Sequence, residues 1–390
     1  YKKQRNKVTK LIRDAHKSYL NEVVGGSLKS NPKKFWNYVK NTRSEATGIP
    51  SLRKDQNVYM SASDKAEILN QHFQSVFTQD NGHLPSLGPQ VCPDMDTINF
   101  TVPGIKKHLE NLPICKASGP DGIPARILHD LSAEIAEILC FLFQQSYDSS
   151  KLPSDWLVAM VVPVHKKDDK TNPANYRPIS LTSLVCKTME HCVLSQIHRH
   201  LRASNIITPL QHGFRSGFSC ETQLILAVHD WASALNTHDQ VDAIMLDFNK
   251  AFDKVSHRKL THKLDHYGIK GKTLLWVAAF LSNRTQFVSV DGSHSSHANV
   301  ISGVPQGTVL GPTLFLLYIN DIVNCCCSTV RLFADDAVLY RKISASSDHV
   351  SLQCDLQNLE SWAKLWQMSF NVTKCKLLSI TNKKQPSNFN

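Results

Sequence analysis

Apolar residues near the start of the chain recur at helical spacing. Val8, Leu11, Ile12, Ala15, Tyr19, Leu20 and Val23 form one stripe, and Lys7, Lys10, Arg13 and Lys17 sit mostly off it. This predicts an amphipathic helix that Gly25-Gly26 would stop. Asn31-Pro32 then offers an N-cap followed by a first-turn proline. It opens the segment Lys33-Lys34-Phe35-Trp36-Asn37-Tyr38, which mixes basic and aromatic side chains. Residues 41–100 are rich in Ser, Asn, Gly and Pro, with one helical island near Ser63–Phe77, and read as a linker or an adaptable surface. Regular patterning returns at Thr101. A helix is predicted over Asp130–Tyr147, with Leu131, Ile135, Ile138, Leu139, Leu142 and Phe143 on one side, and the apolar run Trp156–Val164 reads as a buried strand. Helices and strands then alternate irregularly, which favours an α+β fold over a doubly wound sheet. No internal repeat is evident.

Two later segments end apolar runs in carboxylates. Ala243-Ile244-Met245-Leu246-Asp247 is a strand pattern closed by an acid, and the aromatic Phe252 follows five residues later. In Leu332-Phe333-Ala334-Asp335-Asp336-Ala337-Val338-Leu339-Tyr340 an acidic pair interrupts two β-prone runs, as at the tip of a hairpin.

Composition narrows the function. The chain has 390 residues, 42% of them hydrophobic, enough for two or three subdomains. No apolar run approaches the roughly 18 residues of a membrane helix. The basic start, Tyr1-Lys2-Lys3-Gln4-Arg5, lacks the apolar region of a secretory signal and lacks an initiator Met, so a piece of a longer polypeptide is expected. Eleven Cys include no C-x-x-C pair, and three are adjacent at Cys325, Cys326 and Cys327, which fits reduced intracellular thiols rather than a disulfide framework or a zinc site. The net charge of +11 is concentrated: residues 1–43 hold twelve Lys/Arg against Asp14 and Glu22. Such an arm implies a polyanionic partner, nucleic acid or an anionic surface. For Lys33, Lys34 and Trp36 the readings of strand-binding arm and packed helix are evenly matched.

Adjacent aspartates between apolar flanks are opposed by charge repulsion and desolvation. Divalent cations remove that cost, and Mg²⁺ takes one or two carboxylates plus substrate phosphates. Two such ions roughly 3.5–4 Å apart activate an attacking hydroxyl and stabilise a leaving group. The alternative, an exposed acidic turn and an unrelated strand end, holds for either segment alone.

At this point the sequence resembles a known family. Phe333-Ala334-Asp335-Asp336 resembles the F/Y-x-D-D box of reverse transcriptases, and Asp247 to Phe252 resembles their first palm motif. Ser302-Gly303-Val304-Pro305-Gln306-Gly307-Thr308-Val309-Leu310-Gly311-Pro312 is similar to their P-Q-G motif in the form of non-LTR (LINE-type, jockey-like) retrotransposons. Asn175-Tyr176-Arg177-Pro178-Ile179-Ser180-Leu181, Gln211-His212-Gly213-Phe214-Arg215-Ser216-Gly217 and Ser118-Gly119-Pro120-Asp121-Gly122-Ile123-Pro124 resemble three further blocks of that group. All six occur in the family's order across about residues 110–380.

The resemblance implies an α+β right-hand fold of palm and fingers, with the thumb largely missing and a basic helical N-terminal extension. Residues 1–100 would be that extension and its linker, 101–145 an N-terminal extension of the fingers, and 146–390 the reverse transcriptase domain. Asp247, Asp335 and Asp336 would hold two Mg²⁺ ions, with Mn²⁺ as an alternative. Phe252 would lie under the incoming sugar and exclude a 2′-hydroxyl. Gln306 and Gly307 would meet the nucleotide and templating base, and Arg177 with Lys166 or Lys167 would reach the triphosphate. Lys374 would protonate pyrophosphate, with Lys376 as its rival. The implied partners are an RNA template, a DNA primer and deoxynucleotides, with no membrane; the oligomeric state stays open. The implied location is intracellular, with the nucleus as the site of integration. The end at Asn390 leaves no room for the family's thumb, and the upstream endonuclease is absent, so weak extension is expected. Two rivals remain: an RNA-dependent RNA polymerase, which Phe252 and the P-Q-G block oppose, and an inactive element fragment that at most binds RNA.

Overall fold

The computed structural model describes residues 2–21, 48–90 and 92–387. Among these, eleven strands follow in chain order: β1 (Leu52–Lys54), β2 (Asn57–Tyr59), β3 (Val158–His165), β4 (Tyr176–Leu181), β5 (Gln240–Asp247), β6 (Arg284–Val290), β7 (Ser293–His294), β8 (Ala298–Val300), β9 (Thr329–Phe333), β10 (Asp336–Ile343) and β11 (Lys376–Ile380). They build two main sheets in a largely helical surround, an α+β arrangement. Among the described residues no helix is long and apolar enough to cross a membrane.

The first sheet is antiparallel, in the order β11-β5-β10-β9. β5 is central, with neighbours on both edges. Val241, Ala243, Ile244 and Leu246 are accordingly all buried, so the strand reads as a continuous apolar run rather than an alternation. The helix Gly311–Ile319 is buried at every position except Pro312. It is apolar all round, as a helix in the middle of a core must be. The helices Leu184–Ala203, His257–His266, Gly271–Leu281 and Ser346–Leu365 complete this core.

The second sheet runs β4-β3-β6-β7, with β8 also pairing antiparallel with β6. β3 pairs antiparallel with β4 but parallel with β6. A smaller hydrophobic core covers it, contributed largely by residues 49–73. Ile49, Leu52, Ala66, Ile68, Leu69 and Phe73 pack with Val161, Tyr176, Val288 and Val290.

That packing corrects two expectations. The stretch read as a linker with a helical island near Ser63–Phe77 contains the hairpin β1–β2, and the expected helix, present as Ala62–Gln74, is packed into a core. The helix is capped by Ser61, whose hydroxyl accepts from the Asp64 N–H. Its partners lie far along the chain: the Asn70 amide donates to the Ser296 carbonyl at 2.8 Å and accepts from Gln286 at 3.2 Å. Strands of three residues and partners more than two hundred positions away leave no local periodicity to read. The boundary expected at 145/146 falls inside the helix Ser132–Ser149. Ile105, Leu109, Leu139 and Phe143 share one core with Leu314 and Trp362, so no break in packing occurs there.

The expected N-terminal helix is present as Lys2–Tyr19, and Gly25 and Gly26 lie outside the described residues. Its stripe of Val8, Leu11 and Ile12 is exposed rather than packed. Lys33, Lys34 and Trp36 lie outside the described residues.

Candidate active site

β5 carries Asp247 to its C-terminal end, and β10 begins at Asp336 directly opposite, in register. Across the other edge Asp336 pairs with Phe333 of β9. Ala334 and Asp335 are therefore the two residues of the turn, and Ala334 takes φ +55°. Antiparallel register puts the Cα atoms of facing residues about 4.5–5.5 Å apart. Two positions 89 apart in sequence thus become neighbours, with Asp335 beside them. Desolvation, then the charges of Asp335 and Asp247, raise the Asp336 pKa above the ordinary carboxylate value.

A cleft of about 790 Å³ opens over this point. Asp247, Asp335, Lys374, Phe252, Gln306, Gly307, Lys166, Lys167 and Arg177 all line it. Asp336 does not; its side chain is exposed. Among the described residues no three His, Cys, Asp or Glu side chains are closed around a common point that would hold an ion. The backbone gathers the three aspartates, while mutual repulsion opposes their closing on an empty centre. The Lys374 ammonium supplies a positive charge there, donating to Asp247 Oδ2 at 2.8 Å. Its rival Lys376 sits on β11 and does not line the cleft.

The opposite wall is basic. Arg177 is the second residue of β4 and pairs with Val164 of β3, and Lys166 and Lys167 follow directly after β3. The Lys166 N–H donates to the Asn175 carbonyl at 2.9 Å, closing the connection between the strands. Burial, then the charges of Arg177 and Lys374, lower the Lys166 pKa.

Between these walls Phe252 stacks on Phe315, with ring centroids 4.4 Å apart and planes at 21°, and meets Phe214 edge-on at 6.1 Å. Its ring is fixed from two sides. The loop carrying Gln306 and Gly307 is pinned to the second sheet, where the Ser180 N–H donates to the Gln306 carbonyl at 2.7 Å. Gly307 has φ +114°, and a Cβ there would lie 2.5 Å from the Ser180 carbonyl oxygen. Only glycine fits that approach.

Two residues with a part in this geometry escaped the sequence reading. Asp253 Oδ1 accepts from the Gln306 amide at 3.3 Å, and burial pushes its pKa up to about 6. Glu190 is fully buried, and one of its oxygens accepts from the N–H groups of Val309 at 2.7 Å and Leu310 at 3.0 Å. It thereby holds the start of the helix Gly311–Ile319, which follows the Gln306–Gly307 loop. An acid six residues beyond a predicted strand end was the available signal for Asp253's neighbourhood. Nothing in the local pattern marked Glu190.

A strand-end aspartate facing an acidic hairpin, opposite a basic strand and beneath an aromatic ring, is the arrangement that the motif order anticipated. The family model described as reverse transcriptase (RNA-dependent DNA polymerase) matches residues 164–389, more than half of the chain. The chain belongs to that family. Among curated proteins it is similar to the RNA-directed DNA polymerase from mobile element jockey of Drosophila melanogaster, 28% identical over 368 residues, covering 90% of this chain and 40% of that protein. The probable RNA-directed DNA polymerase from transposon X-element of the same species is 28% identical over 283 residues, covering 69% of this chain and 30% of that protein. The Retrovirus-related Pol polyprotein from type-1 retrotransposable element R1 of Bradysia coprophila is 26% identical over 257 residues, covering 64% of this chain and 25% of that protein. The chain spans less than half the length of these relatives.

Proposed function

We propose that this chain catalyses RNA-directed DNA synthesis, adding deoxynucleotides to the 3′-hydroxyl of a primer as part of a retrotransposon-encoded protein. The observation that carries this reading is the register of Asp247 against Asp336, with Asp335 at the turn, facing Arg177 and Lys166 across one cleft. In this reading the four-stranded sheet is the palm and the second sheet belongs to the fingers. The substrates are an RNA template, a primer and dNTPs.

The donor set suits a hard divalent cation: carboxylate oxygens crowd at one strand end, and the Asp336 pKa is raised by desolvation and then by the like charges of Asp335 and Asp247. Asp247 and Asp335, with Asp336 beside them, would hold two Mg²⁺ ions, which when bound lower the pKa of a hydroxyl and neutralise charge on the leaving group. The chain's own residues supply the rest. Arg177 and Lys166 bring positive charge to the triphosphate, Arg177 from β4 and Lys166 from the connection just after β3. Phe252, clamped by Phe315 and Phe214, fills the space a ribose 2′-hydroxyl needs. Gly307 lets the backbone approach the nucleotide closely. Lys374 shares a hydrogen bond with Asp247 in the free protein and is placed to donate a proton to departing pyrophosphate.

The test is single-nucleotide extension of a DNA primer on an RNA template, with Mg²⁺ and dNTPs. Incorporation should fall by at least about a hundredfold in Asp335→Asn and in Asp247→Asn. Equal use of NTPs, or incorporation unchanged in both variants, would refute the reading.

A further inference from the structure

The turn between β9 and β10 poses a physical problem. Its first residue, Ala334, has φ +55°, a conformation usually filled by Gly, Asn or Asp. Alanine has neither glycine's freedom nor a polar side chain to stabilise the turn locally. Something outside the hairpin must hold it there, because this turn sets the direction of Asp335 and Asp336.

We propose that Gln211 is a positioning residue for the acidic hairpin, gripping Ala334 by both of its main-chain polar groups. This deepens the polymerase reading above and rests on it for its functional consequence. Gln211 is 2% exposed. Its Oε1 accepts from the Ala334 N–H at 2.9 Å, and its Nε2 donates to the Ala334 carbonyl at 3.2 Å. The same Oε1 accepts from the Gly213 N–H at 2.7 Å, which fixes the amide's orientation. No other side chain of the natural set offers a neutral acceptor and donor at this reach (asparagine is one methylene shorter).

The backbone around Gln211 is built for the same purpose. The Leu332 N–H donates to the Leu210 carbonyl at 2.9 Å, and the His212 N–H donates to the Leu332 carbonyl at 3.0 Å. Residues 210–212 therefore line the free edge of β9 at the turn. Gln223, from the helix Cys220–Asn236, donates to the carbonyls of both Leu210 and Leu332 at 3.0 Å and ties the two segments together. A Cβ on Gly213 would collide with Ala334 N, so the segment lies directly against the turn. The hairpin is thus held by β5 on one side and by Gln211 at its tip. Without the amide, Ala334 would keep a strained φ with its N–H and carbonyl unpaired, and would be free to relax and swing Asp335 off the cleft.

The experiment compares Gln211→Met, which keeps length and apolar volume, and Gln211→Glu, which keeps the acceptor and loses the donor, with the wild-type 390-residue chain. Three measurements are made: melting temperature, Mn²⁺ binding followed by electron paramagnetic resonance, and hydrogen exchange of the peptide spanning residues 332–337. Single-nucleotide extension is measured alongside. We expect exchange at the turn to quicken and the Mn²⁺ midpoint to rise, each by about tenfold in Gln211→Glu, which loses the bond to the Ala334 carbonyl, and by at least that much in Gln211→Met, which loses all three bonds of the amide. kcat should fall by a similar factor, with KM for dNTP changed less than about threefold, since Phe252, Arg177 and Gln306 are untouched. Wild-type exchange and Mn²⁺ binding in either folded variant would overturn the inference. If Gln211→Met fails to fold, Gln211→Glu is judged by the same readouts, and losses in both that merely track melting temperature would also overturn it. If the wild-type chain itself extends no primer, the polymerase reading fails, while exchange and Mn²⁺ binding still decide whether Gln211 sets the hairpin.

Discussion

Gly307→Ala tests how tightly the nucleotide-facing loop is built. The added Cβ would lie 2.5 Å from the Ser180 carbonyl oxygen, against about 3.3 Å for an ordinary carbon–oxygen contact, so something must move by nearly 1 Å. A φ of +114° costs a residue with a side chain about 1–3 kcal/mol. Displacement also threatens the 2.7 Å bond from the Ser180 N–H to the Gln306 carbonyl, worth about 0.5–1.5 kcal/mol. The total is about 2–4 kcal/mol, a factor of between about thirty and about a thousand. Where it is felt follows from the anchors on the loop's two sides. Upstream, the N–H groups of Gly303 and Val304 donate to the carbonyls of Val255 and Phe252 at 2.7 and 2.8 Å. Downstream, Glu190 holds Val309 and Leu310. The strain is therefore confined to Gln306 and Gly307. KM for dNTP in single-nucleotide extension should rise by at least about thirtyfold, with a fall of only a few degrees in melting temperature. A KM within twofold of wild type in a folded variant would show that the loop yields freely, and that Gly307 is not there for close approach.

Substitutions at three other positions probe the remaining walls. Phe252→Val removes the ring stacked on Phe315, and the ratio of kcat/KM for dNTP over NTP should fall by at least about tenfold; an unchanged ratio would place the sugar discrimination elsewhere. Glu190→Ala leaves the Val309 and Leu310 N–H groups unpaired in the core and should cost about 2–4 kcal/mol in urea unfolding, whereas Glu190→Gln, which keeps an acceptor where burial already raises the pKa, should cost much less. Asp253 has its pKa raised from 3.8 to about 6, so the folded state binds its proton more tightly than the unfolded chain; that contribution to stability is fully present below pH 3.8 and is lost as pH rises through about 6. Asp253→Asn should therefore flatten the decline in unfolding free energy between these limits, by up to about 3 kcal/mol, and identical pH slopes in variant and wild type would count against a buried, ionising Asp253.

What the sequence made legible, and what it did not, divides along a physical line. The aspartates could be read because two acids between apolar runs are too costly to arise without a compensating charge, and that cost is visible within ten residues. β5 could be read because a central strand must be apolar on both faces. Gly307 could be read because a Pro-Gln-Gly run restricts the backbone locally. The residues that hold these groups in place left no such trace. Leu52 looks like part of a polar, loop-rich stretch, and the helical island that holds Ile68 and Phe73 shows no partner, until β6, more than two hundred positions later, is packed against them. Gln211 is one polar side chain in a loop until Ala334, 123 positions away, supplies the groups it binds. Glu190 reads as a helix-surface acid until the start of another helix arrives 119 positions later. Chemistry that needs a particular residue type is written in the residue itself. Placement of that chemistry depends on hydrogen bonds between segments whose separation only the fold removes, and such bonds use side chains that are common everywhere else in the chain. The strained Ala334 is where the two kinds of information meet. The acidic pair announces a turn, the missing glycine in that turn implies an outside support, and the support becomes identifiable only when the distant loop carrying Gln211 is seen lying against it.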